Sequence, residues 1–147
     1  MALTVKRITL WRREVENRPG VLASTLQPLA QAGADLRLVM GYRFPEATGR
    51  AAIEVFPVTG NKAVEAAQGA GLEAFQLACL LVEGDNRSGL GAGIGRALAD
   101  AGTNIAFLVA QVIGRRFTAV IGLESDAAAA AAAKLIKTAG GPKRRHR

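Results

Sequence analysis

Apolar and polar positions along the chain fall into a fixed succession of periods. Residues 5–15 read as a strand. From residue 20 to 32, Leu22, Leu26, Leu29 and Ala30 recur at helical spacing on one face, and Gly33 follows where a helix C-cap belongs. Residues 35–44 and 50–58 flank Pro45-Glu46-Ala47-Thr48-Gly49, which predicts a hairpin. Residues 61–68 predict a short helix and residues 72–76 a last strand. The series then begins again: strand 77–83, helix 90–101, strands 103–113 and 116–123, helix 126–138. Asp126 is the expected N-cap of that last helix, and Gly140-Gly141-Pro142 its end. Pro28 removes one backbone hydrogen bond from the first helix and predicts a kink.

The recurrence is also one of residues. At an offset of 69, Glu14, Asn17, Arg18, Gly20, Ala23, Leu29, Ala30, Ala32 and Gly33 meet identical residues, nine identities in the 23 positions from 14 to 36. Average residue usage gives about two by chance. Beyond residue 45 the offset reads as 65, placing Phe56 on Ile121, Val58 on Leu123 and Asn61 on Asp126, with the length change in the hairpin tip. Strand–helix–strand–strand–helix–strand is the ferredoxin-like order. The expected fold class is therefore α+β: two βαββαβ units packed as a pseudo-symmetric pair, each an antiparallel sheet with helices on one face. The expected divisions are 1–75, 76–141 and a basic tail, 142–147. Glycine, proline and serine do not mark a linker at the junction, so the units are not expected to move freely.

At Val15-Glu16-Asn17-Arg18-Pro19-Gly20-Val21-Leu22, followed by Ala32-Gly33-Ala34-Asp35-Leu36, the chain resembles the ACT domain family. The second copy repeats the pattern as Glu83-Gly84-Asp85-Asn86-Arg87-Ser88-Gly89-Leu90, then Ala101-Gly102-Thr103-Asn104-Ile105. The resemblance runs from residue 5 to about 138 and is strongest to small free-standing proteins made of two ACT units. It implies regulatory binding of a small ligand, an amino acid, where paired units meet, with the loop between the first strand and first helix as the ligand loop. Asn17, Arg18, Pro19, Gly20, Val21 and Leu22 are then the candidates in the first copy, and Asn86, Arg87, Ser88, Gly89 and Leu90 in the second. Asp35, Leu36, Asn104 and Ile105 join them because family pairing brings the second strand near the partner's loop.

The chemistry of such a loop agrees. Free N–H groups at a helix start attract a carboxylate. An asparagine both donates and accepts, and an arginine pairs with a carboxylate. The same residues equally satisfy a plain turn with a solvated arginine. Ser88 stands where the first copy has Pro19, and Gly91, Gly93 and Gly95 loosen the second helix start, so the two loops are not expected to be equivalent.

Charge and composition narrow the rest. The net charge is +7, but Lys143, Arg144, Arg145 and Arg147 supply four of those charges; without them +3 remains. A short basic terminus reads as a solvated end, and nucleic acid is not the expected partner. Cys79 is the only cysteine and lies in an apolar run, which suits a core residue in a reducing cytoplasm. Lys6, Arg7, Arg12 and Arg13 interrupt any leader-like apolar run, and no apolar stretch has membrane-spanning length. Gly89-Leu90-Gly91-Ala92-Gly93-Ile94-Gly95-Arg96 has neither dinucleotide-loop spacing nor a P-loop ending. His146, the single histidine, is in the tail, so Ser24, Ser88 and Ser125 have no base in the body, and no metal cluster is formed. No catalysis, cofactor or metal is expected. The competing expectations are a regulatory subunit that docks on an amino-acid biosynthetic enzyme and a gene-regulatory protein that uses the tail.

Two structural expectations follow from the repeat. The second copy has no strand after residue 138, which leaves a bare edge for a homodimer or for another segment of the chain, with the homodimer preferred. Leu80 and Val82 align with Trp11 and Arg13, while Phe117, Ala119, Ile121 and Leu123 align with Ala52, Glu54, Phe56 and Val58. That alignment turns Arg13 and Glu54 inward on adjacent strands and predicts an ion pair between them.

Overall fold

The computed structural model describes residues 3–139. They divide into two compact units, Thr9–Gln76 and a unit made of residues 3–8 with 77–139. The basic tail and the expected helix end at residues 140–142 lie outside the described residues.

The unit Thr9–Gln76 contains β2 (Trp11–Glu16), α1 (Val21–Gln31), β3 (Leu38–Arg43), β4 (Arg50–Phe56), α2 (Asn61–Gly69) and β5 (Glu73–Ala74). Its sheet has the order β3-β4-β2-β5, all pairs antiparallel. Val15, Ile53 and Val55 from the sheet pack with Leu29 of α1, Ala67 of α2 and Leu72. Each of the valine, isoleucine and leucine side chains contributes about 1.5–3 kcal/mol by leaving water. Gly33 ends α1 as expected. Its φ of +79° allows Gly33 N–H to reach Ala30 O at 3.0 Å and Ala34 N–H to reach Leu29 O at 3.0 Å, a Schellman stop. α1 continues through Pro28 as one helix.

The other unit contains β1 (Thr4–Ile8), β6 (Ala78–Asp85), α3 (Leu90–Asp100), β7 (Ile105–Ile113), β8 (Arg116–Leu123) and α4 (Asp126–Ala139), with sheet order β1-β6-β8-β7. Leu80, Val82, Ala119, Ile121 and Leu123 meet Ile94, Leu98 and Ile136 in its core. Ser125 caps α4: its Oγ accepts the Ala128 N–H at 3.0 Å, and Asp126, expected as the cap, pairs instead with Arg7 at 2.6 Å.

The single strand expected over residues 5–15 is two strands in two sheets. β1 pairs antiparallel with β6, from Thr4↔Glu83 to Ile8↔Cys79, and occupies the fourth-strand position that the second copy lacks. A break at Thr9 and Leu10 separates it from β2. The edge expected to be bare is therefore filled by the chain itself, which removes the argument for dimerisation there. The expected boundary at 75/76 is corrected likewise. The junction falls after Gln76, and residues 3–8 belong with the second half.

The expected Arg13–Glu54 pair is absent. Arg12 stands opposite Glu54, and Arg13 opposite Ile53. Arg13 points to the helix side, where its Nη1 donates to Thr25 Oγ1 at 2.9 Å, so it and Glu54 lie on opposite faces. The cause is a one-residue slip in the alignment. Arg13 pairs with Ile53 as Val82 pairs with Ala119, so the offset past the hairpin is 66, not 65. A slip of one exchanges the two faces of a strand.

Candidate functional site

The two motif loops have one backbone design. β2 ends at Glu16 and β6 at Asp85. The next residue ties down to its own hairpin: Asn17 N–H donates to Gly49 O at 2.9 Å, and Asn86 N–H to Arg115 O at 2.7 Å. Gly20 and Gly89 then turn the chain into α1 and α3 with φ of +86° and +82°. Only glycine adopts that conformation without strain. A Cβ at either position would meet nothing within 4 Å. No side chain caps either helix; the first N–H of each turns back into its own loop, Val21 to Arg18 O at 3.4 Å and Leu90 to Arg87 O at 3.3 Å, and the N–H groups that follow have no side-chain cap.

The side chains around this backbone differ. Asn17 is exposed, and its Nδ2 lies 3.5 Å from Thr48 O. Arg18 is exposed and only 3.9 Å from Glu16. Pro19 and Ser88 are exposed, Val21 is half-buried and Leu22 exposed, whereas Leu90 is buried in the core. Asn86 is exposed, but Arg87 donates through Nη2 to Ala139 O, the last described carbonyl of α4. That contact gives Arg87 a structural task at a helix C-terminus, where a cation is favoured.

Asp35 and Leu36 follow the far end of α1, and Asn104 and Ile105 the far end of α3. A helix of 11 residues separates each pair from its own unit's loop, about 16 Å. Within a unit these residues do not join one site. Asp35 instead lines a cleft of about 630 Å³ with Arg37, Thr59, Asn61 and Lys62. A second cleft of about 480 Å³ lies along Arg12, Arg13, Glu14, Glu73 and Phe75. Both mix polar and apolar surface, and neither includes a motif-loop residue. They arise from where turns converge, which no periodicity in the sequence signals.

The electrostatic feature that the residue pattern missed by one position is Arg12–Glu54. Arg12 Nε is 3.6 Å from Glu54 Oε1, and Arg12 Nη1 donates to Glu14 Oε1 at 2.7 Å. The guanidinium stacks over Phe75 at 4.9 Å and Phe44 at 5.8 Å. Glu54 is fully buried, and neither of its oxygens meets a hydrogen-bond donor at bonding distance among the described residues. Burial raises its carboxyl pKa, against the pull of Arg12 and Tyr42. Among the described residues no group of three or more His, Cys, Asp or Glu is placed to hold a metal ion. None of the described helices is long and apolar enough to cross a membrane.

No family model matches the sequence, and no curated protein matches it. Solved structures do match. The ligand-free regulatory subunit of aspartate kinase from Thermus thermophilus is 19% identical, with 95% of this chain and 97% of that chain covered and a TM-score of 0.64. Its Thermus flavus counterpart is 20% identical over the same shares, with a TM-score of 0.59. A Bacteroides thetaiotaomicron protein is 15% identical over 88% of each chain, with a TM-score of 0.72. The order of elements, the two four-stranded antiparallel sheets and these matches agree on one conclusion: the chain has the tandem ACT-type, ferredoxin-like fold.

Proposed function

We propose that this chain is a non-catalytic, cytoplasmic regulatory protein that binds a small ligand, an amino acid, at its glycine loops. The observation that carries the reading is the recurrence, in both units, of an uncapped helix start behind a left-handed glycine. An amino acid's carboxylate suits those N–H groups. Asn17 and Asn86 supply a neighbouring amide with both donor and acceptor atoms, and Arg18 is an exposed cation beside the first loop. The loop of residues 17–22 is the stronger candidate, because Arg87 is engaged at α4.

Thermal shift against the twenty amino acids tests the proposal. A ligand at 100 times its dissociation constant stabilises by about 2.7 kcal/mol. Gly20→Val should abolish the shift for the matching amino acid. Absence of a shift with all twenty overturns the ligand class.

A second reading is a regulatory subunit that docks on an amino-acid biosynthetic enzyme. Near-complete coverage of the Thermus regulatory subunits favours it. Co-purification of a kinase or other biosynthetic enzyme with the tagged chain distinguishes it from free sensing. A homodimer is part of either reading, on an edge other than the one that β1 fills.

A further inference from the structure

We propose that the open stretch of β2 beside β5 is a second ligand site, one that takes a short zwitterionic peptide with its carboxylate on Arg13. The two units cover this edge differently. In the unit of residues 3–8 and 77–139, β1 pairs with β6 from Cys79 to Glu83. At the offset of 69 the counterparts of those residues are Leu10 to Glu14. On β2 the two-residue β5 pairs only with Trp11 and Arg12. Phe75 N–H also reaches Leu10 O at 2.7 Å. Arg13 and Glu14 are left without a strand on that side among the described residues. Backbone groups of alternate residues turn to the same edge of a strand. Leu10 faces β5, so Glu14 turns the same way, and its N–H and C=O open onto the cleft of about 480 Å³ that Arg13, Glu14 and Glu73 line.

The fold itself does not require an arginine at position 13. Its counterpart in the other unit is Val82, and the counterpart of Thr25 is Ile94. Val82 and Ile94 are buried core residues. Here the same two positions hold a guanidinium and a hydroxyl, joined at 2.9 Å. Placing a polar pair there costs desolvation that the apolar pair avoids. Thr25 uses one N–H of the guanidinium, and others remain for a ligand. Gly71 keeps the space clear: its φ is +83°, and a Cβ there would lie 3.1 Å from Arg13 Nε.

The charges around the cleft select the ligand. Arg12 is taken by Glu14 and Glu54, and Glu14 also by Arg50. Arg13 and Glu73 have no ion-pair partner among the described residues. One charge of each sign is therefore left over. A simple anion would satisfy Arg13 and be repelled by Glu73. A zwitterion satisfies both, with its carboxylate on the guanidinium and its ammonium toward Glu73. The open N–H and C=O of Glu14 add a third requirement, a backbone amide that pairs as a strand does. A dipeptide has such an amide, and a free amino acid does not. The cleft falls within the roughly 300–1,000 Å³ of small-molecule sites. Its residues are separate from the glycine loops, so this site goes beyond the proposed function and neither depends on the other.

Titration of the isotope-labelled full chain with alanylalanine, followed by nuclear magnetic resonance, tests it. The Glu14 amide and Arg13 Nε–H resonances should shift together and saturate. Blocking both ends of the probe, as N-acetyl-alanylalanine amide, should weaken binding by roughly tenfold to a hundredfold. Free alanine, which lacks the amide, should bind about tenfold more weakly. Arg13→Val with Thr25→Ile installs the Val82–Ile94 pair of the other unit. It should keep the wild-type circular dichroism spectrum and lose roughly tenfold to a hundredfold in affinity. Should that double variant fail to fold, Glu73→Gln, at an exposed position, replaces it, with an expected loss of about twofold to fivefold. Absence of saturable shifts at Glu14 and Arg13 overturns the site. Equal binding of the blocked probe or of alanine overturns the peptide class, and unchanged affinity in the variants overturns the roles of Arg13 and Glu73. In each case the amino-acid thermal shift still decides the glycine loops.

Discussion

Arg12 and Glu54 face each other across β2 and β4, yet their environments are unequal. The Arg12 side chain is 20% exposed and has Glu14 and two aromatic rings as further partners. Glu54 is fully buried and has Arg12 as its ion-pair partner. Removing one member of a buried pair strands the other. Arg12→Met should therefore cost about 3–5 kcal/mol at neutral pH. Glu54→Leu should cost less than about 1.5 kcal/mol, since Arg12 keeps Glu14. Urea denaturation of both variants measures the difference, and equal losses would contradict the assignment.

The same carboxyl sets a pH dependence. Burial raises the Glu54 pKa above its ordinary 4.5. The folded state then holds this proton more tightly than the unfolded state. Its contribution to stability is complete below pH 4.5 and is lost as pH rises through the raised folded value. Glu54→Gln removes that titration. Its stability relative to wild type should improve as pH rises from 4.5 toward neutrality, and a gap that stays constant would refute the linkage.

Deleting residues 1–8 strips β1 from β6 and opens an edge next to Leu80 and Val82. Hydrogen exchange should show β6 and α4 losing protection first, with β2 and β4 less affected. The truncated chain should also aggregate more readily, as a bare edge recruits other strands. Full protection of β6 in the truncated chain would show that β1 is dispensable.

Gly122 lies on β8 where a Cβ would overlap the Phe107 ring and come within 2.7 Å of Leu77 Cδ2. Gly122→Ala should destabilise by about 1–3 kcal/mol through overpacking. Phe107→Leu in the same chain should recover part of the loss. A thermal midpoint unchanged by Gly122→Ala would mean that the ring moves aside freely.

The glycine loops were legible in the sequence because their cause is local. Gly20, Gly33, Gly89 and Gly102 must take positive φ whatever packs around them, and each recurs at one offset with the helix it starts or stops. The order of elements was legible for the same reason, since period and caps lie within a dozen residues of each other. What only the tertiary structure decided were choices between equal local options. Residues 4–8 and 11–16 both favour extended chain, and nothing in either segment says that one pairs with β6 and the other with β4. Strand faces behave alike. With Ala51, Ala52, Ile53, Val55 and Phe56 all apolar, both faces of β4 read as inward, and cross-strand hydrogen bonding selected the register that buries Glu54 beside Arg12. Pairing of distant segments is a long-range energy, and local sequence does not encode which of two compatible partners it will meet.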